Sequence, residues 1–180
     1  MRRLFLALSL LLAAVLSAAG SAGLWIDVPF VQQTDRACGA ANAAMLLRYW
    51  ADKGFAIKGG DAELAALHRQ LYSKEEKGTT GQSLKALLED AGLRTFVFRG
   101  EYSDLEKHLA AGRPLIVCVD PPRGGTFHYA LVVGLDPETD TVLLNDPARK
   151  KLARYDRAEF LESWAATDNW TLLAVPRSAN

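Results

Sequence analysis

The apolar residues of this chain change their spacing halfway along, and that change restricts the fold more than any other feature. Up to about Gly92 they recur at helical intervals; from Leu93 onward they gather into short runs separated by turn residues. The polar loop Thr34–Gly39 leads from an extended lead-in, Leu24 to Val31, into a helix predicted over 38–51. That helix has Ala41, Ala44, Met45, Leu47, Tyr49 and Trp50 to bury. After a loop from Lys53 to Gly60, Asp61 is placed to cap a helix with Leu64, Leu67 and Leu71 on one face. Thr80 follows the turn Gly78–Gly81 and can cap a third helix, which carries Leu84, Leu87, Leu88 and Ala91 and ends at Gly92.

The second half reads as strand Leu93 to Phe98, then a short helix opened by a Ser103/Glu106 capping box and stopped at Gly112. Strands are expected at 114–119, 128–135 and 141–145, with Asp136–Asp140 as the turn between the last two. Asp156 and Glu159 mark a helix with Phe160, Leu161 and Trp164 on its apolar side, and Trp170 to Val175 is a closing strand. Helices first and an antiparallel sheet second make an α+β domain. No repeat, low-complexity tract or long linker interrupts it.

Residues 1–22 do not fit that domain. Arg2 and Arg3 precede an apolar run ending at Leu16, and small residues from Ser17 to Ala22 follow. This is the order of a secretory signal peptide, and the run is shorter than the roughly 20 residues a membrane span needs. The expected organisation is a signal peptide over 1–22 and one domain over 23–180, exported to the periplasm or secreted, with an uncleaved tether as the alternative. The whole chain has 21 basic and 21 acidic residues; without residues 1–22 it has 19 and 21. Near-neutral charge with no basic block excludes the footprint of a nucleic-acid binder. Two cysteines exclude a disulfide scaffold and a four-Cys metal site, and the sequence calls for no cofactor.

Those two cysteines are unlike. Cys118 lies in Pro-Leu-Ile-Val-Cys-Val, a buried strand, and reads as a small apolar residue. In an oxidising compartment it could also pair with Cys38. Cys38 stands where a helix begins, and the helix dipole and free N–H groups there favour thiolate. Gly39 allows a substrate backbone to come close. Of three histidines, His68 and His108 lie in helices among charged residues and read as solvated; His128 opens the strand His-Tyr-Ala-Leu-Val-Val-Gly. Asp146 ends the strand Thr-Val-Leu-Leu-Asn-Asp before Pro147. A hairpin about Asp136–Asp140 puts His128 and Asp146 roughly opposite each other at its open end, where they can share a face. An acid there would fix the imidazole tautomer and stabilise imidazolium. Gln32, six residues before Cys38, could aim its amide at a carbonyl oxygen under attack. Gln33 would point the other way along a regular strand, so only one of the pair can serve.

At these residues the chain resembles the family C39 peptidases, the papain-like domain of bacteriocin-processing, double-glycine exporters. The resembling stretches are Val31-Gln32 through Cys38-Gly39-Ala40-Ala41, Leu46 to Trp50, Gly78-Thr79-Thr80, Phe127 to Gly134, and Asn145-Asp146-Pro147-Ala148. Phe160, Trp164 and the closing strand complete a resemblance over about residues 25–176. The family usually has an acid where this chain has Ala37, and often Pro where it has Ala40. The resemblance implies a papain-like fold and a Cys–His–Asp peptidase: Cys38 as nucleophile, His128 as general base then acid, Asp146 as its orienter, Gln32 as oxyanion donor. It implies a peptide or protein substrate, with a glycine-rich cleavage site and a narrow cleft beside the loop Pro121–Thr126. The exporters carry membrane helices and an ATPase, whereas this chain has no Gly-Lys-Ser/Thr phosphate loop. It therefore reads as a stand-alone form serving an export or envelope assembly system. Two other readings keep the cleft: a catalytically silent peptide-binding module, and an amidase or transferase acting on an envelope component.

Overall fold

The computed structural model describes residues 23–120 and 126–177. The expected signal peptide, residues 1–22, and most of the loop expected to line the cleft, residues 121–125, lie outside them. Helix α1 (Cys38–Asp52) runs through the middle of the molecule. Every residue from Gly39 to Leu47 is buried, with Tyr49 and Trp50. The alanines make this possible: a helix with small side chains on most faces can be surrounded by neighbours on all sides. Around it stand α2 (Leu64–Leu71), α3 (Gly81–Asp90), and a sheet. Burial of side chains such as Met45, Leu46 and Leu47 contributes about 1.5–3 kcal/mol each. Polar tips find partners too: Tyr49 donates to the Gly112 carbonyl at 2.7 Å and Trp50 Nε1 to the Ala174 carbonyl at 3.0 Å.

Among the described residues the sheet has seven strands, and all its pairings are antiparallel. Its strands are β1 (Leu24–Trp25), β4 (Leu93–Arg99), β5 (Leu115–Val119), β6 (His128–Asp136), β7 (Thr141–Asp146), β8 (Lys150–Asp156) and β9 (Trp170–Pro176). They lie in the order β4-β9-β5-β6-β7-β8, with β1 against the end of β6. The closing strand thus inserts between β4 and β5. A small ribbon of β2 (Tyr72–Ser73) and β3 (Gly78–Thr79) packs by α1, while α4 (Tyr102–Ala110) and α5 (Arg157–Ala165) cover the sheet. This is the α+β arrangement expected from the order of elements.

Several expected caps are present. Thr80 Oγ1 accepts from the Ser83 N–H at 3.1 Å, and Asp156 accepts from the Ala158 and Glu159 N–H groups at 2.8 and 3.2 Å. Others move. Asp61 does not cap α2, whose N-cap is Glu63 without a side-chain bond. The capping box of α4 is Glu101 with Asp104, so Ser103 is already helical. His68 and His108 are half-buried rather than solvated: each has one ring nitrogen buried without a hydrogen bond among the described residues, and His68 packs edge-on against Tyr72. Strand β8 was not expected at all. Its residues pair with β7 although only Ala153 is buried, so no inward-facing stripe announces it.

Candidate active site

Cys38 is the first helical residue of α1, and its N-cap, Ala37, supplies no side chain to the free N–H groups. The turn Thr34–Ala37 delivers the chain there, with Arg36 at φ 51°. Asn42, one turn on, is fully buried and donates from Nδ2 to the carbonyls of Cys38 and of Tyr129, both at 2.8 Å. It ties the start of α1 to β6 one residue past His128. A lone Asn inside an Ala-rich helix is the signal that marks it in the sequence.

Gly39 has a packing reason that the sequence did not show. A Cβ there would stand 2.5–2.6 Å from the Thr79 side chain. The glycine is needed for β3 to close on α1.

His128 and Asp146 come from adjacent strands. The β6–β7 pairing passes through Leu131 opposite Asn145 and Val132 opposite Leu144, then shifts by one between Val132 and Gly134. The shift lies on the turn side of the site, so His128 and Asp146 stay on one face, diagonal to each other. His128 Nε2 is 2.8 Å from Asp146 Oδ1. The other ring nitrogen, Nδ1, is left for the Cys38 thiol, which shares the cleft with the imidazole and interacts with it. Asp146, 3% exposed, also accepts the Ala148 N–H at 2.9 Å and the Tyr155 hydroxyl.

These contacts set the charges. Burial pushes the Cys38 thiol up, but the His128 hydrogen bond, the Tyr129 backbone, the imidazolium charge and the Gly39 backbone outweigh it and hold it below the ordinary thiol value. Burial works against a charged His128, yet its bonds to Asp146 and Cys38 raise it to about 9. Burial likewise opposes ionisation of Asp146, and the His128 and Tyr155 hydrogen bonds keep it below the usual carboxylate range. All three directions favour the charged row of thiolate, imidazolium and carboxylate over its neutral counterpart.

A cleft of about 600 Å³ opens over Cys38 and His128. Gln33, Lys77, Thr79 and Phe127 are among its walls. Gln32 is not. Its Nε2 donates to the Pro147 carbonyl at 2.7 Å and the residue is exposed, so the expected oxyanion role is corrected. The neighbouring Gln33 takes the place beside Cys38, because successive side chains of the extended lead-in alternate and the tight Thr34–Ala37 turn brings the second of the pair to the cleft. Its Oε1 is buried without a partner among the described residues. Cys118 is buried in β5 as expected, but it also reaches the cleft wall, and both cysteines are free. Burial and the Cys38 charge push Cys118 up to about 12. Among the described residues no group of three or more His, Cys, Asp or Glu side chains is placed to hold a metal ion.

Comparison with known proteins agrees with this architecture. A structure of a C39-like peptidase from Bacillus anthracis superposes with a TM-score of 0.63 at 19% identity, covering 87% of this chain and 99% of that one. The peptidase domain of Streptococcus ComA, a bi-functional ABC transporter involved in quorum sensing, gives 0.63 at 22% identity, over 82% and 98%. A double glycine motif protease from an AMS/PCAT transporter, solved with its leader peptide, gives 0.63 at 20% identity, over 85% and 94%. No curated protein sequence matches. The family model described as "Peptidase_C39 like family" matches residues 25–171. With that match over most of its length and the shared papain-like fold, which supports a peptidase or related activity, the chain belongs to the peptidase C39-like family.

Proposed function

We propose that this protein is a cysteine peptidase that cleaves peptide bonds through a thioester on Cys38. The observation that carries the reading is the row Cys38–His128–Asp146 at the mouth of one cleft, with the nucleophile on a helix N-terminus and His128 held by Asp146 at 2.8 Å. The Cys38 thiolate attacks the substrate carbonyl carbon. The resulting oxyanion is met by the Cys38 backbone N–H and by the Gln33 side-chain amide. The His128 imidazolium gives its proton to the departing amine nitrogen, and the C–N bond breaks to leave a thioester. His128, now neutral, takes a proton from water as the water attacks the thioester. The acid product leaves and the thiolate–imidazolium pair is restored.

Retention of the thiol in a reactive setting favours an enzyme over a silent peptide-binding module. The preference for glycine-rich sites is carried over from the double glycine motif protease with which the fold is shared. The reading of residues 1–22 as a signal peptide supports an enzyme that acts outside the cytosol on peptides or proteins of an export or envelope system. The test is digestion of a peptide library containing Gly-Gly and glycine-free members, read by mass spectrometry. Cleavage after Gly-Gly that disappears in Cys38→Ala supports the reading. Binding of peptides without turnover would favour the silent module, and release of ammonia from side-chain or cell-wall amides without peptide cleavage would favour the amidase.

A further inference from the structure

The row of interacting groups does not stop at Asp146. Its two carboxylate oxygens have different partners: Oδ1 meets His128 at 2.8 Å and the Ala148 N–H at 2.9 Å, whereas Oδ2 accepts the Tyr155 hydroxyl. Tyr155 comes from β8, the edge strand that the sequence did not announce. Behind it stands Arg149, in the turn after Asp146, whose own N–H bonds the Asp146 carbonyl at 2.9 Å. The Arg149 guanidinium lies 5.2 Å from the Tyr155 ring centroid, a cation set against the aromatic face.

We propose that Tyr155, backed by Arg149, is a positioning residue that keeps Asp146 ionised and aimed at His128, and so keeps Cys38 as thiolate. The proposal rests on the thiol-hydrolase reading above and names a residue for which that reading has no role. A carboxylate as buried as Asp146 has almost no water to satisfy Oδ2, so loss of the hydroxyl leaves a charged oxygen without a donor. Tyr155 is suited to be that donor. Burial, opposed by Arg149, pushes its phenol up to about 12, so it stays protonated wherever the enzyme would work. Asp146 is faced by His128 from β6, by Tyr155 from β8 and by Arg149 from the turn; Lys150, opposite it in the pairing, is exposed. His128 is faced in turn by Cys38 from α1, which has Cys118 of β5 as its nearby thiol.

The sign follows from the row. Without the Tyr155 hydroxyl, Asp146 takes up a proton at a higher pH, imidazolium loses its counter-charge, and Cys38 returns to thiol. The test is the rate of Cys38 alkylation by neutral chloroacetamide between pH 4 and 9, resolved from Cys118 by mass spectrometry, in the wild type, Tyr155→Phe and Arg149→Met. The acid limb of Tyr155→Phe is expected to move up by about one pH unit, which is about tenfold slower labelling on the limb, with little change near pH 8. Arg149→Met, at an exposed position, should move it the same way by less, about threefold, and carries the test if Tyr155→Phe does not fold. A lowered melting temperature with a superimposed limb would reduce both residues to structural roles and overturn the proposal alone. A wild-type limb at the ordinary thiol value would overturn the hydrolase reading and the proposal together.

Discussion

Cys38 and Cys118 open on the same cleft, and their surroundings drive them in opposite directions. Cys118 sits mid-strand in β5, where every residue is buried and its thiol is pushed up to about 12. Cys38 is half-buried, at a helix start, with His128 beside it, and its thiol is held down. Desolvation is common to both. What separates them is the partner: an imidazole made cationic by a carboxylate, and N–H groups that a strand would have spent on its neighbour. A nucleophile is thus made by what lies opposite it more than by how deeply it is placed.

Exchanging the thiols one at a time sharpens the contrast most. Cys38→Ala should lower peptide cleavage by at least about a thousandfold, since loss of a nucleophile disables the whole row. Cys118→Ala should change it by less than about threefold, measured on the same peptide. Next comes the packing that sets Cys38 but not Cys118. Gly39→Ala drives a methyl into Thr79 and should cost about 3 kcal/mol of stability in urea unfolding, the upper end for overpacking. Asn42→Ala removes the two hydrogen bonds that join the Cys38 and Tyr129 carbonyls and should cost about 2 kcal/mol, with slower cleavage by the folded fraction. The smallest effect is on pH. His128 is charged up to about 9, so cleavage should fall to about half near pH 9 and continue down above it. The same charge stabilises the fold: its contribution is full below the ordinary imidazole value of 6.5 and is lost as pH rises through about 9.

Much of this arrangement is legible in the sequence because it rests on local rules. The helix at Cys38, the Thr80 and Asp156 caps and the hairpin that brings His128 to Asp146 follow from periodicity, cap chemistry and strand pairing. What is not legible depends on long-range approach. The choice of Gln33 over Gln32 turns on where the Thr34–Ala37 turn releases the chain, and both glutamines fit the spacing argument about equally. Gly39 reads as room for a substrate, and its packing against Thr79, forty residues away, is seen only in the fold. Strand β8 has only Ala153 buried, so no apolar alternation betrays it, and with β8 the sequence also hid Tyr155. Cys118 reads correctly as a buried strand residue; its place on the cleft wall comes only from the β5–β6 pairing that sets it beside Tyr129.

The most direct measurement is the site-resolved labelling of the two thiols in the native protein at pH 7 under non-reducing conditions. Cys38 should react at least about a hundredfold faster than Cys118, because a thiol at about 12 is thiolate only about one part in 100,000 at that pH. Comparable, sluggish labelling of both, or recovery of Cys38 and Cys118 joined in a disulfide, would contradict the assignment of Cys38 as the nucleophile.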